Sequence, residues 1–220
     1  SPSPFLHNHN FKEFNLNAVY NTYSKLTPKQ VIETIKDKKL SGVSITRPFK
    51  ESIIPFLDII DPIASKIGSI NTIDIKDGLF YGYNTDWIGI QNILNQLHFK
   101  NIIILGSGGT ARAAAYAIDK LNYKFKIFSR NKDTRRFISK DYNVESYDLQ
   151  KFYNYDVIVN CLPPEVNVKY KGIMVNLSYN KKTNDYAHQI LKEQAKEQFK
   201  IWFNINEEFY DMALHKYIMG

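Results

Sequence analysis

Apolar and polar positions change period several times along this chain. Val31, Ile32, Ile35 and Leu40 recur at helical spacing behind Thr27-Pro28, an N-cap followed by proline at the first helical position. Ser41-Gly42 is expected to stop that helix, and a short strand over 43–46 runs up to Arg47-Pro48. Asp61-Pro62 opens a second short helix, which Gly68 closes as a C-cap. Residues 69–75 and 79–83 read as strands joined through Lys76-Asp77-Gly78, a hairpin turn signal. Asp86 then stands at the start of a helix carrying Trp87, Ile90, Ile93, Leu94 and Leu97.

Beyond residue 100 the texture shifts. Residues 101–105 are a run of isoleucine and leucine, as in a strand buried on both faces. A glycine turn and an alanine-rich helix to about Leu121 follow, then strands at 125–128, 157–160 and 173–177. This alternation predicts an α/β chain with a parallel, doubly wound sheet. A long helical pattern over 186–202 leads toward the C-terminus. The expected division is two-lobed: an N-terminal α/β domain over 1–86, a nucleotide-binding domain over 87–187, and a return to the first domain over 188–220.

Composition narrows the function classes. The chain has 220 residues, 44% of them hydrophobic, enough for one large domain or two small ones. Lysine and arginine number 29 against 22 acids, a net charge of +7. The lysines are scattered, with no long basic block, so the charge reads as a solubilising surface and not a nucleic-acid footprint. The single cysteine, Cys161, excludes an intrachain disulfide and suits a reducing cytosol. It lies in the apolar run 157–162 and reads as a core residue. No signal peptide or membrane-spanning stretch is evident, so a cytoplasmic location is expected. No metal site is expected. The first residue is Ser1, not Met, and residues are expected to precede it.

Gly106-Ser107-Gly108-Gly109-Thr110-Ala111 follows a strand pattern and opens a helix pattern. Gly106 permits a tight turn, Gly108 lets the backbone approach a pyrophosphate, and Ala111 allows close packing of helix on strand. Gly109 belongs to the same loop. At the end of the next strand, Ser129-Arg130-Asn131-Lys132 stands where an acid would take the ribose 2′-hydroxyl of NAD. Arg130 and Lys132 would pair with a 2′-phosphate, with Ser129 and Asn131 adding hydrogen-bonding groups, so the expected cofactor is NADP.

Several polar residues stand at strand ends and turns of the first domain. Taken singly, the Ser1-Pro2 and Ser3-Pro4 pairs initiate turns and Asn84-Thr85-Asp86 starts a helix. Taken together they resemble the shikimate dehydrogenase family. Ser1-Pro2-Ser3-Pro4 with His7-Asn8 is similar to its S-x-S-P…H-N opening, and 42–50 to its G-x-N-V-T-x-P-x-K. Residues 68–72 resemble G-A-x-N-T, and 82–86 with Gly89 resemble G-x-N-T-D-x-x-G. The glycine loop with Arg112 resembles G-x-G-G-x-x-R, and Gln194-Ala195 with Phe199 and Trp202 the C-terminal Q-[GA]-x-x-x-F-x-x-W.

The resemblance implies a Rossmann-like NADP domain beside a substrate domain, and NADPH-dependent reversible reduction of 3-dehydroshikimate to shikimate. It makes Lys50 and Asp86 the catalytic pair: Lys50 supplies a proton and positive charge to the developing alkoxide, and Asp86 orients it. Ser1 and Ser3 would hold the substrate carboxylate. Thr46, Asn71 and Gln194 would bind its hydroxyls, and Tyr179 would reach the substrate as well. The implied partner is this small acid, with neither nucleic acid nor membrane, on a monomer or homodimer. The alternatives are a quinate/shikimate dehydrogenase of the same superfamily and a non-catalytic ligand-binding paralogue; retention of Lys50 and Asp86 argues against the latter. The chain departs from the family pattern in several places, among them Glu165 for a glycine and, around Tyr179, Asn176 for Asp and Lys181 for Pro. The family's opening strand ending in G-x-P has no counterpart. Asn160-Cys161-Leu162-Pro163 replaces N-x-T-P, and the stretch between Thr183 and Gln194 is short.

Overall fold

A computed structural model describes residues 2–24, 27–177 and 185–205. The chain divides into two compact units, Ser1–Thr85 with Leu191–Gly220, and Asp86–Ile190.

The first unit is built on a four-stranded sheet. Its strands are β1 (Gly42–Ser44), β2 (Ile59–Ile60), β3 (Thr72–Lys76) and β4 (Leu79–Tyr83), in the order β1-β3-β4-β2. β3 lies antiparallel to β1 and β4, and β2 runs parallel to β4. Asp77 and Gly78 both take positive φ, 53° and 78°, which is the primed turn that an Asp-Gly pair favours between right-twisted strands. Helix α1 (Ser3–Glu13) precedes the sheet, α2 (Pro28–Asp37) leads into β1, and α3 (Pro62–Ile67) sits between β2 and β3. Thr27 and Gln30 form a reciprocal capping box at the start of α2. That helix ends before Ser41-Gly42, because Lys39 already turns left-handed at φ 50°. Val31 and Ile35 of α2 join Ile45, Ile53, Ile70, Ile73 and Phe80 in the core.

The Ser-Pro pair at 3–4 does not end in a turn: Ser3 and Pro4 lie in the first turn of α1. Asn, His and Phe make this segment a poor helix by propensity. Burial of Leu6, His7, Asn10 and Phe11 along one side holds it, a tertiary effect that local sequence does not announce.

The second unit carries a five-stranded, wholly parallel sheet in the order β7-β6-β5-β8-β9. These strands are β5 (Ile102–Leu105), β6 (Phe125–Phe128), β7 (Ser146–Tyr147), β8 (Phe152–Asn160) and β9 (Lys169–Asn176). β5 is central and every residue in it is buried, as its unbroken apolar run requires. The chain winds from β5 through β6 to β7 on one side, then restarts with β8 and β9 on the other. The boundary between β5 and β8 is therefore the topological switch point, where open α/β sheets hold ligands. Helices α4 (Asp86–Leu94), α5 (Gly109–Lys120) and α6 (Lys132–Tyr142) complete the unit. β8 begins at Phe152, ahead of the apolar run at 157. Its pairing with β9 shifts register between Asn154 and Val157, and Gly172 opposite takes φ 118°. The irregularity breaks the alternation that marks a strand.

Helix α7 (Asp185–Phe203) contributes its later turns, from Leu191, to the first unit. Trp202 donates from Nε1 to the Ile73 carbonyl at 3.0 Å. Its indole occupies the space beside Gly42, where a Cβ would stand 2.5 Å from Nε1. Among the described residues no helix is long and apolar enough to cross a membrane.

Gly89 of α4 packs directly on α7: a Cβ there would lie 2.5 Å from the Ile190 carbonyl oxygen. Gly89→Ala gains about 1 kcal/mol of helix propensity, but overpacking against backbone costs about 1–3 kcal/mol. A net fall in Tm is expected in thermal unfolding, and an unchanged or higher Tm would show that the two helices move apart freely.

Candidate active site

In the first unit the polar residues picked out by the sequence converge on Asn71. The Thr85 backbone N–H donates to Asn71 Oδ1 at 2.8 Å, and the Thr72 hydroxyl donates to the same oxygen at 2.8 Å. Asn71 Nδ2 donates to Thr85 Oγ1 at 2.9 Å and to Gln194 Oε1 at 3.2 Å. Gln194 Nε2 is turned back to the Leu191 carbonyl at 3.1 Å. Asn71, Thr72, Thr85 and Gln194 are all buried. Buried amides left unpaired would be costly, so each one's orientation is set by its neighbours.

The turn bearing Thr46 and Lys50 is fixed beside this cluster by its backbone. The Ile45 N–H donates to the Asn71 carbonyl at 2.8 Å, and the Ile70 N–H donates to the Lys50 carbonyl at 2.7 Å. The Arg47-Pro48 peptide within the turn is cis. Thr46 is exposed and Lys50 half-buried. The structure thus brings Thr46, Lys50, Asn71 and Gln194 into one neighbourhood. Ser3 is the first residue of α1 and half-buried. Asp86 follows Thr85 as the first residue of α4 and is 6% exposed. Ser1 and Tyr179 lie outside the described residues.

Residues that the sequence reading did not assign to the site extend the cluster. Gln198, one helical turn beyond Gln194, donates from Nε2 to Thr72 Oγ1 at 2.9 Å and to the Asn71 carbonyl at 3.4 Å. Its Oε1 meets Nε2 of His7 at 3.2 Å. His7 is stacked on Tyr20 at 4.7 Å between centroids, and Asn8 clamps Tyr20 through both of its backbone polar groups. The signal for Gln198 was its i+4 spacing from Gln194. For Thr72 it was adjacency to Asn71.

In the second unit, Gly106 leaves β5 with φ 106° and a Cβ on it would crowd Cys161 at 3.3 Å, across the switch point. Gly108 is exposed, occupies the N-cap of α5 and provides no side-chain cap. Gly109 and Ala111 are buried in the first turn of α5. Bare glycine backbone ahead of a helix N-terminus fits a pyrophosphate, which needs close N–H donors and no intervening Cβ. After β6, Ser129 Oγ is bonded to Ser107 Oγ at 2.7 Å, and Ser107 also meets Thr134 Oγ1 at 2.5 Å. Arg135 ties the Ser129 carbonyl to the Asp148 carboxylate. Asn131 Oδ1 caps α6 by accepting from the N–H groups of Asp133 and Thr134. Ser129 and Asn131 therefore shape the loop, while Arg130 and Lys132 are its exposed cations. Among the described residues no group of His, Cys, Asp and Glu could hold a metal ion.

His7 is wholly buried, and desolvation pushes its pKa down to about 4, with the Gln198 bond partly opposing the shift. A base with a depressed folded pKa stays neutral in the fold but binds a proton once unfolded. Its contribution is therefore fully present above pH 6.5 and lost as the pH falls toward about 4. The loss should reach roughly 3 kcal/mol. Urea titrations across this window should show stability falling with acid, with a shallower fall in His7→Gln. Parallel curves for the two proteins would contradict the burial of a neutral imidazole.

Residues 1–73 match the family of the shikimate dehydrogenase substrate binding domain. The chain is 32% identical over 248 aligned residues to the shikimate dehydrogenase (NADP(+)) of Staphylococcus aureus, across 96% of this chain and 91% of that one. It is 36% identical over 152 residues to the shikimate dehydrogenase (NADP(+)) of Aquifex aeolicus, across 66% of this chain and 56% of that one. A shikimate dehydrogenase solved in complex with NADP+ superposes with a TM-score of 0.84 at 29% identity, covering 99% of this chain and 91% of the other. With its ordered motifs, its two units and its buried amide cluster, the chain belongs to the shikimate dehydrogenase family.

Proposed function

We propose that this chain is an oxidoreductase that reduces 3-dehydroshikimate reversibly to shikimate with NADPH. The observation that carries the reading is the buried cluster of Asn71, Thr85 and Gln194 with the Lys50 turn fastened beside it by two backbone hydrogen bonds. A polyhydroxylated acid needs such preoriented amides and hydroxyls. Sites that pair each substrate hydroxyl reject analogues lacking one.

In this reading Asn71, Gln194 and Thr46 hold the ring hydroxyls. Of the Asn71 Nδ2 bonds to Thr85 and Gln194, the longer, to Gln194, is the one a substrate hydroxyl would take over. Ser1 and Ser3 donate to the carboxylate, and Tyr179 adds a further hydroxyl. NADPH, when bound, supplies the hydride that reduces the ketone carbon. Lys50 donates a proton from Nζ to the carbonyl oxygen as negative charge develops there, and its positive charge stabilises that oxygen beforehand. Asp86 would orient this lysine. In the oxidative direction Lys50 accepts the hydroxyl proton. Gly106, Gly108, Gly109 and Ala111 would receive the pyrophosphate, and Arg130 and Lys132 the 2′-phosphate, on a loop held by Ser129 and Asn131.

Lys50→Ala should lower kcat by a hundredfold or more, on the order of a lost general acid, with the Tm unchanged. Near-normal turnover would remove Lys50 from the chemistry. Arg130→Ala should raise KM for NADP by about tenfold or more, the scale of a charge-assisted bond, and leave KM for NAD as it was. Equal losses for both cofactors would sink the 2′-phosphate role.

A further inference from the structure

Resting on the proposed reaction, we infer that His7, which no catalytic step uses, is a positioning residue that sets the orientation of Asn71 through a one-way hydrogen-bond relay across Gln198 and Thr72.

The direction of the relay follows from a single backbone group. The Thr85 N–H can only donate, so the Asn71 atom it meets at 2.8 Å is the carbonyl oxygen Oδ1. The Thr72 hydroxyl contacts the same oxygen at 2.8 Å and must spend its one proton there. Thr72 Oγ1 is then an acceptor toward Gln198, so the Gln198 atom at 2.9 Å is the amide nitrogen. That assignment turns Gln198 Oε1 toward His7, and an oxygen there requires a proton on Nε2 of the imidazole. Every step has one permitted sense, from the His7 Nε2–H through Gln198 and Thr72 to Asn71. At the far end, Asn71 Nδ2 is aimed at Thr85 and Gln194.

Burial makes the relay consequential. His7 is 0% exposed, Thr72 0%, Gln198 1% and Asn71 2%, so water cannot replace a missing member. The imidazole is held in place by Tyr20 stacked at 4.7 Å and by Trp202 tilted against it at 5.3 Å. If His7 loses its Nε2 proton donor, Gln198 Oε1 loses the bond that fixes its amide. Rotation of that amide gives up the Nε2 bonds to Thr72 and the Asn71 carbonyl, and a Thr72 proton drawn to Gln198 instead turns away from Asn71. The carboxamide that meets substrate hydroxyls then loses the Thr72 bond that helps fix its Oδ1.

The experiment is steady-state kinetics of shikimate oxidation with NADP+ for His7→Phe, His7→Gln, Gln198→Met and the double variant H7F/Q198M, with a Tm for each. His7→Phe should raise KM for shikimate by about tenfold, the scale of a lost buried hydrogen bond. KM for NADP+ should stay unchanged. His7→Gln places an amide N–H near the Nε2 position and should restore most of the loss. Gln198→Met should match His7→Phe, and the double variant should be no worse than either single one, as members of one relay are not additive. Equal impairment by His7→Phe and His7→Gln, additive losses, or KM rising for both substrates together would overturn the relay. NMR of isotope-labelled histidine reads it without turnover: His7 should be the neutral Nε2–H tautomer at neutral pH. An Nδ1–H or doubly protonated ring would overturn it even if the enzyme is inactive. A wild-type chain that does not turn over shikimate but shows the Nε2–H tautomer would instead remove the proposed reaction.

Discussion

The first unit depends on one hydrogen bond, from the Thr85 backbone N–H to Oδ1 of Asn71. Its donor has a fixed sense, so it determines which end of a buried carboxamide faces which neighbour. Thr72, Gln194 and Gln198 then have little freedom, because each buried polar atom must meet its complement. The bond also joins the start of β3 to the segment after β4, the two strands of the Asp77-Gly78 hairpin. The primed turn sets the register of that hairpin, and register decides that Thr72 and Tyr83 lie opposite one another. A surface turn and a buried amide cluster are thus two ends of one constraint.

The second unit obeys a different constraint. Five parallel strands need their connections on the faces of the sheet, and the reversal of winding at β5 puts the topological switch point at the carboxyl end of that strand. Gly106 can turn there because it has no Cβ to meet Cys161. Ser107, Ser129 and Thr134 link the glycine loop to the loop after β6 through their hydroxyls. The two segments proposed to hold the pyrophosphate and the 2′-phosphate of NADP are therefore fixed to each other by these hydroxyl bonds.

Periodicity exposed the elements whose burial is one-sided or complete: α2, the hairpin, β5, α5 and β6. It failed where tertiary contacts override local preference. α1 is a helix of Asn, His and Phe residues held by its buried side. α6 is so polar that only Arg135 and Ile138 are buried, which leaves no apolar stripe to read. The first residues of β8 sit across an irregularity in the ladder. The site shows the same division. Thr46, Lys50, Asn71 and Gln194 came from ordered motifs, and they share a neighbourhood. His7 and Gln198 lie 191 positions apart in sequence, and only the folded chain shows that they touch. Ser129 and Asn131, expected as ligand groups, also bond within the loop through their side chains, since a helix start must satisfy its own N–H groups.

The most direct test of the whole account is a matrix of initial rates for the purified chain, with shikimate or quinate and NADP+ or NAD+, followed by reduced-cofactor absorbance. The account predicts turnover with shikimate and NADP+, far above the other three combinations. Ligand binding without turnover in any combination, on a chain shown to be folded, would contradict it.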